Sequence, residues 1–335
     1  MGEALDYYSF NKLLSYQATY NFIVGGRGIG KTYGAKVLAI QDAIKKHEEF
    51  IYLRRYKSEL KGRFSFFSDL LAEFPEEEFR IDGLTAQIKD PIAKGGWRTI
   101  GYFAALSTSQ TLKSVSYPKV TKILFDEFII EKGSIHYLPN EVKIFNDFYS
   151  TVDRWKDKTK VFFIANSISV MNPYFIEFDI KPEPDKPFIR MADGFLVAHF
   201  PDSEAFKRSV LKTKFGKFIA STNSEYVNYA VESQFADNNE NLIDKKTKEA
   251  RYYCTIETKS GLFSVWINLP NFYIQEKRPK QEVIWTLVPE KMTEDKTLVV
   301  YSDKLMQMLR SAFRNGNIWF DTPKARNIFT EVFRH

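Results

Sequence analysis

Two kinds of apolar pattern alternate along the first two hundred positions. Short unbroken apolar runs at 21–24, 50–54, 99–106, 121–125 and 160–165 have strand length. Between them, stretches at 31–46, 58–74 and 139–153 carry helical patterning. Strands alternating with helices predict an α/β domain on a mainly parallel sheet. After residue 249 the pattern changes. Tyr252, Cys254 and Ile256 alternate with Tyr253, Thr255 and Glu257, and Lys259-Ser260-Gly261 reads as a turn. Strands at 262–267 and 272–274 complete an antiparallel meander, and another strand is expected at 283–288. Leu305, Met308, Leu309, Ala312 and Phe313 then repeat at helical spacing, with Ser302 as cap and Gly316 as stop. This second part reads as α+β. The expected division is a first domain over 1–204, a basic and polar linker over 205–248, and a smaller domain over 249–335.

Length and composition narrow the class without naming it. At 335 residues, two domains are expected, and 44% hydrophobic with 27% charged residues is ordinary for a globular protein. No run reaches the roughly 18 apolar residues of a membrane span. The N-terminus is acidic and aromatic, unlike a signal peptide, and one cysteine, Cys254, cannot close an internal disulfide. A cytoplasmic setting is the simplest expectation. The charge is unevenly placed. Residues 1–204 carry 27 basic and 27 acidic side chains, whereas 205–335 carry 21 and 15. The net charge of +6 therefore lies entirely in the second part, which suits a polyanionic partner.

The chemistry concentrates in Gly25-Gly26-Arg27-Gly28-Ile29-Gly30-Lys31-Thr32, which fits G-x-x-x-x-G-K-[ST] between a strand and a helix. Glycines admit phosphates close to the backbone, and a helix N-terminus adds unpaired N–H donors and a positive dipole end. Lys31 is placed to reach the β- and γ-phosphates and Thr32 to hold Mg²⁺. The strand at 121–125 ends in Asp126-Glu127, 95 residues beyond Lys31. Asp126 suits the metal, and Glu127 suits a general base that activates water. Asn166 ends the strand at 160–165, where it can meet the γ-phosphate. Arg154 and Arg27 are the candidate arginine fingers. The one Asn-Lys pair, Asn11-Lys12, lacks the aspartate of a guanine-reading N-K-x-D, so ATP is favoured. The four histidines are scattered, and no zinc site is expected.

These motifs sit among less general strings. The chain resembles the phi29-type family of phage DNA-packaging motor ATPases in Phe50-Ile51-Tyr52-Leu53-Arg54-Arg55-Tyr56-Lys57, Ile123 to Phe128, Pro139-Asn140-Glu141-Val142, Asn172-Pro173-Tyr174-Phe175 and Thr213-Lys214-Phe215-Gly216. The resemblance implies a P-loop ATPase of the additional-strand, catalytic-glutamate type, followed by an RNase H-like domain that has lost its nuclease acids. It also implies a homomeric ring of five at the portal (connector) of a procapsid, pumping double-stranded DNA and meeting a structural procapsid RNA. The ring would act in the host cytoplasm, with no membrane involved. By position it assigns Arg154 and Lys113 to a neighbour's ATP site and Lys57 to DNA. Lys207, Arg208, Lys212, Lys214 and Lys217 are further nucleic-acid contacts expected from the basic cluster. Three rivals stand beside this expectation: a helicase-like ATPase, a nucleotide-switched adaptor without motor activity, and a terminase that also cuts.

Overall fold

The apolar runs of the first part become neighbours in one sheet. The computed structural model of the chain describes residues 7–112, 114–130, 136–167, 172–182, 186–201, 208, 211–214, 217–218, 246–300, 302–314 and 317–334. The chain divides into two units, Met1–Ile168 with Lys181–Gln234, and Ser169–Ile180 with Phe235–His335. In chain order the first unit holds α1 (Asn11–Ser15), β1 (Tyr20–Gly25), α2 (Lys31–Lys46), β2 (Glu49–Arg54), β3 (Phe79–Asp82), β4 (Thr85–Lys89) and β5 (Trp97–Ala105). It continues with β6 (Val120–Asp126), α3 (Glu141–Asp153), β7 (Lys160–Asn166), β8 (Phe188–Met191) and β9 (Leu196–His199). The sheet order is β3-β4-β5-β2-β6-β7-β1-β9-β8. The strands from β5 to β9 in that order run parallel, and β4, β3 and β8 add antiparallel edges.

Strand alternation sorts side chains between the two faces. Ile23, Leu124, Phe162 and Ile164 share a core with Ala35, Ala39, Ile40 and Ala43 of α2. Their neighbours point the other way. Phe22 stacks on Phe163 at 4.1 Å, and Phe145 of α3 packs against Phe125 and Phe163. Helices on both faces explain why these strands are apolar without interruption. The same alternation decides the chemistry at the strand ends. Asp126 shares parity with Leu124, Asn166 with Ile164, and Arg54 with Phe50 and Tyr52, so all three face α2.

The helix expected at 58–74 is absent. Lys57–Ser65 is a 3-10 segment, followed by turns in which Phe66 N–H bonds Arg63, Leu70 bonds Phe67 and Glu73 bonds Leu70. Gly62 weakens α-helix here. Ser65 also donates its hydroxyl back to the Gly62 carbonyl at 2.9 Å, competing with the helical ladder. The tight turns let adjacent Phe66 and Phe67 both be buried, which one stripe of a helix would not allow.

The second unit contains α4 (Pro173–Glu177), β10 (Arg251–Thr258), β11 (Gly261–Asn268), β12 (Asn271–Gln275), β13 (Ile284–Thr286), β14 (Lys296–Leu298), α5 (Lys304–Arg314), β15 (Ile318–Phe320) and α6 (Pro323–Arg334). Its sheet order is β14-β13-β10-β11-β12-β15. The antiparallel meander β10-β11-β12 gains β13 and β14 as parallel strands on one side and β15 on the other. This is the RNase H-like small domain in its sheet plan: a three-strand meander whose first strand takes a parallel partner. Leu305, Met306, Leu309 and Phe313 of α5, with Phe329 and Phe333 of α6, cover Cys254, Ile256, Phe263 and Val265. The Cys254 thiol is buried and its pKa is pushed up to about 12 by that burial, so it behaves as a small apolar residue. α5 starts one residue past Asp303, whose carbonyl accepts the Gln307 N–H, rather than at the expected Ser302 cap; Gly316 lies outside the described residues. The grouping of 169–180 with this unit differs from the sequence division, which kept everything to 204 in the first domain. Most of the 205–248 linker lies outside the described residues.

Candidate nucleotide site

The phosphate loop leaves β1 at Gly25 and enters α2 at Lys31. Gly28 and Gly30 hold φ at 84° and 86°, the left-handed region that a side chain resists. Lys31 is buried and lies across the loop. Its Nζ donates to the Gly25 carbonyl at 3.0 Å, the Gly26 carbonyl at 2.6 Å and Asn166 Oδ1 at 3.3 Å. Thr32 Oγ1 donates to Asp126 Oδ1 at 2.9 Å. Two segments, joined by residues 94 apart in sequence, therefore converge on one point. They do so although their strands are not adjacent, since β7 lies between β1 and β6. A cavity of about 740 Å³ opens over this point, lined by Arg27, Gly28, Gly30, Lys31, Thr32, Asp126, Glu127 and Asn166 among others.

The donor set suits a divalent ion of the magnesium kind. A hydroxyl and one carboxylate offer two oxygens, which leaves the remaining positions to phosphate oxygens and water. Among the described residues no cluster of three or more His, Cys, Asp or Glu forms a closed protein cage. Burial pushes the Lys31 ammonium down to about 8, with the Asp126 charge offsetting part of that. An incoming triphosphate favours the charged form. ATP affinity should hold below pH 8 and weaken about tenfold per unit above it. Calorimetry should show proton uptake on binding above pH 8; affinity that stays flat to pH 9.5 would separate Lys31 from the phosphates.

Sequence reasoning passed over the residues that brace the acids. Tyr52 donates to Asp126 Oδ2 at 2.6 Å, and burial followed by that carboxylate holds its phenol well above the ordinary range. Arg54 reaches Asp126 at 3.4 Å, Glu59 at 2.8 Å, and Glu127 in a close ion pair. Glu127 itself sits at φ 58°, just past β6, and is largely exposed. The guanidinium thus holds the Glu127 carboxylate toward β2. Arg55 leaves by the other face. It pairs with buried Glu141 at 2.8 and 3.0 Å and donates to the Glu127 and Phe128 carbonyls. Removing one partner of such a pair costs about 3–5 kcal/mol. The available signal was strand parity at the end of β2, which sends consecutive arginines to opposite faces.

Arg154 is not brought to this cavity. It caps the C-terminus of α3 at φ 53° and precedes β7, whose far end carries Asn166. The length of β7 separates it from Lys31, about 20 Å. The turn that carries it is anchored by Asp153, whose buried carboxylate accepts the N–H groups of Lys156, Asp157, Lys158 and Thr159 at 2.9–3.0 Å. Burial raises the Asp153 pKa, but these hydrogen bonds outweigh it and hold the group below the ordinary carboxylate range. Arg154 and Trp155 are left exposed, and Arg154 Nη2 donates to the Val115 carbonyl at 3.5 Å. Lys113 lies outside the described residues, two positions before Val115.

Among the expected nucleic-acid contacts, Lys57 is exposed at the start of the 3-10 segment. Arg208, Lys212, Lys214 and Lys217 are exposed, with helical backbone, and Lys207 lies outside the described residues. In the second unit Glu257, the one acid on β10, is buried and paired by Lys296 at 3.0 Å, with Lys291 at 3.8 Å. No helix among the described residues is long and apolar enough to cross a membrane.

A phosphate loop, an aspartate bonded to the loop threonine and followed by a glutamate, and a strand inserted between their two strands define a P-loop NTPase of the additional-strand, catalytic-glutamate class. The particular family follows from comparison: residues 1–335 match the model of the podovirus DNA encapsidation protein (Gp16), and the chain belongs to that family. It is a viral DNA packaging protein of the ATPase type. It is 35% identical to the DNA packaging protein of Bacillus phage phi29 over 333 residues, covering 98% of this chain and 97% of that one. It is also similar to the solved phi29 viral genome packaging motor assembly, at 33% identity and TM-score 0.62, covering 99% of each chain. The crystal structure of the N-terminal domain of the phi29 DNA packaging ATPase is 40% identical with TM-score 0.54, covering 60% of this chain and 98% of that one.

Proposed function

We propose that this chain is the ATP-driven translocase that pumps double-stranded viral DNA into a preformed procapsid, as a homomeric ring of five subunits at the portal vertex in the host cytoplasm. The observation that carries the reading is that the phosphate loop and the acidic pair meet in one cavity, from which Arg154 is set apart. Lys31, Thr32, Asp126 and Glu127 converge, while the exposed Arg154 stands at the opposite end of β7, away from their cavity, which supports its delivery to another subunit's nucleotide. A ring supplies that other subunit.

ATP binds through the loop amides and Lys31, and Thr32 with Asp126 would hold Mg²⁺, which neutralises charge on the phosphates when bound. Glu127 takes the proton of the attacking water, after moving off Arg54. Arg154 of one subunit delivers positive charge to the neighbour's γ-phosphoryl group, and Lys113 is proposed to stand beside it. Asn166 contacts Lys31 and reports loss of the γ-phosphate along β7. DNA is gripped by its phosphates, independent of sequence, with Lys57, Arg208, Lys212, Lys214 and Lys217 as contacts and Lys207 added from the sequence. The basic second part is proposed to meet the structural procapsid RNA and the portal. The solved phi29 relative belongs to a packaging motor assembly, which supports this placement.

Cutting is not part of the proposal. A nuclease of the RNase H type needs carboxylates free to bind metal, and the Glu257 carboxylate is instead neutralised by Lys296. Supercoiled plasmid should stay intact with the protein in Mn²⁺; nicking above background would reinstate the cutting terminase. Translocation is tested by nuclease protection. With procapsids, the protein and ATP should render full-length DNA resistant to added nuclease. Turnover without protection would favour the adaptor, and strand displacement on a forked duplex would favour the helicase.

A further inference from the structure

The phosphate and metal groups use only part of the cavity wall. Two aromatic rings remain, Tyr7 and Tyr33. Tyr33 follows Thr32 on the first turn of α2, and its hydroxyl donates to Glu73 at 3.4 Å. Tyr7 comes from a segment preceding α1 that is tied to the phosphate loop. The Tyr8 N–H donates to the Ile29 carbonyl at 2.8 Å, and the Tyr8 hydroxyl bonds His199 Nδ1 at 2.8 Å on β9. These ties hold Tyr7 over Gly30, where a Cβ would lie 2.8 Å from the Tyr7 ring. The Tyr7 and Tyr33 centroids are 6.2 Å apart at 38°, too close and too tilted to admit a base between them. Tyr7 is nevertheless 53% exposed, so much of its ring remains available to the cavity. A large aromatic group fixed by its neighbours and left half open is placed for stacking.

A triphosphate bound at Lys31 and Thr32, with its metal toward Asp126, has its γ end against Glu127 and Asn166. The nucleoside must leave past the first turn of α2, where Tyr7 and Tyr33 stand. We propose that Tyr7 is the platform on which the nucleobase of the bound nucleotide stacks. This rests on the phosphate-loop reading of Gly25–Thr32 and adds the base subsite to it. Stacking on a ring face does not distinguish adenine from guanine, so the platform contributes affinity for the nucleoside and no selectivity between purines.

The test compares binding of MgATP, MgGTP and magnesium tripolyphosphate to the full chain by calorimetry. Tripolyphosphate carries the phosphates without a base. Tyr7→Ala should weaken both nucleotides by about 5- to 150-fold, the range of aromatic stacking losses, and leave tripolyphosphate within twofold. Tyr7→Leu, which keeps bulk over Gly30, should behave as Tyr7→Ala does; Tyr7→Phe should restore wild-type affinity. Equal losses for nucleotide and tripolyphosphate would make Tyr7 a prop for the loop and overturn the platform. Unchanged nucleotide binding would overturn it as well. Failure of the wild-type chain to bind any of the three would instead remove the phosphate-loop reading, and the platform with it.

Discussion

Glu127→Gln should bind ATP with affinity within a few-fold of wild type and lose hydrolysis by about 10²–10⁴-fold, the usual share of a general base. The substitution keeps the shape of the side chain and removes its ability to take a proton. The binding groups are elsewhere: Lys31 lies against the loop, and Thr32 meets Asp126 at 2.9 Å. Single-turnover hydrolysis in the assembled ring is the proper measurement, because it separates chemistry from product release. Packaging should stop with hydrolysis. Full turnover in this variant would remove Glu127 from its role. The loss of charge also removes the Arg54 ion pair with Glu127, leaving Arg54 to Glu59 and Asp126. A small gain in ATP affinity is compatible with the account, whereas a large loss is not.

Arg154→Ala should leave the isolated subunit unchanged. Among the described residues its guanidinium makes one long hydrogen bond, to the Val115 carbonyl at 3.5 Å, and the turn around it is held by Asp153 through backbone N–H groups that the substitution leaves in place. Folding stability and ATP affinity of the monomer should therefore be wild type. Turnover in the ring should fall by about 10³–10⁵-fold, the contribution of a finger arginine. Mixing tells cis from trans. Each variant subunit fails its neighbour's site, so packaging should fall more steeply than the variant's share of the mixture. A proportional decline in turnover and packaging would count against delivery between subunits.

The sequence made the site legible because its chemistry is local. The phosphate loop is eight consecutive residues, and Asp126-Glu127 closes an apolar strand, so their meeting required only that β1 and β6 share one sheet edge. The central strands were also plain, because burial on both faces leaves them without polar interruption. Three features were harder to read. The 58–74 segment has helical spacing, but Gly62 and the Ser65 back-bond favour tighter turns, and the burial of Phe66 is decided by β2 and β5. Tyr52 and Arg54 stood inside a quoted string without a role, because their function depends on strand parity and on β2 lying next to β6. The outer strands β3, β4, β8 and β9 are short, and their pairing is set by the sheet they join rather than by their own pattern. The position of Arg154 was likewise invisible until the length of β7 set it apart from its own phosphate loop.

The central claim is that a complete hydrolytic site is built from two copies of this chain. The most direct measurement is a structure of the ring assembled on procapsids with a non-hydrolysable ATP analogue. The account predicts triphosphate along Gly25–Thr32 and a neighbouring subunit's Arg154 within hydrogen-bond reach of the γ-phosphate, roughly 3 Å. An occupied loop with every Arg154 turned to solvent, and the site completed within one subunit, would contradict it.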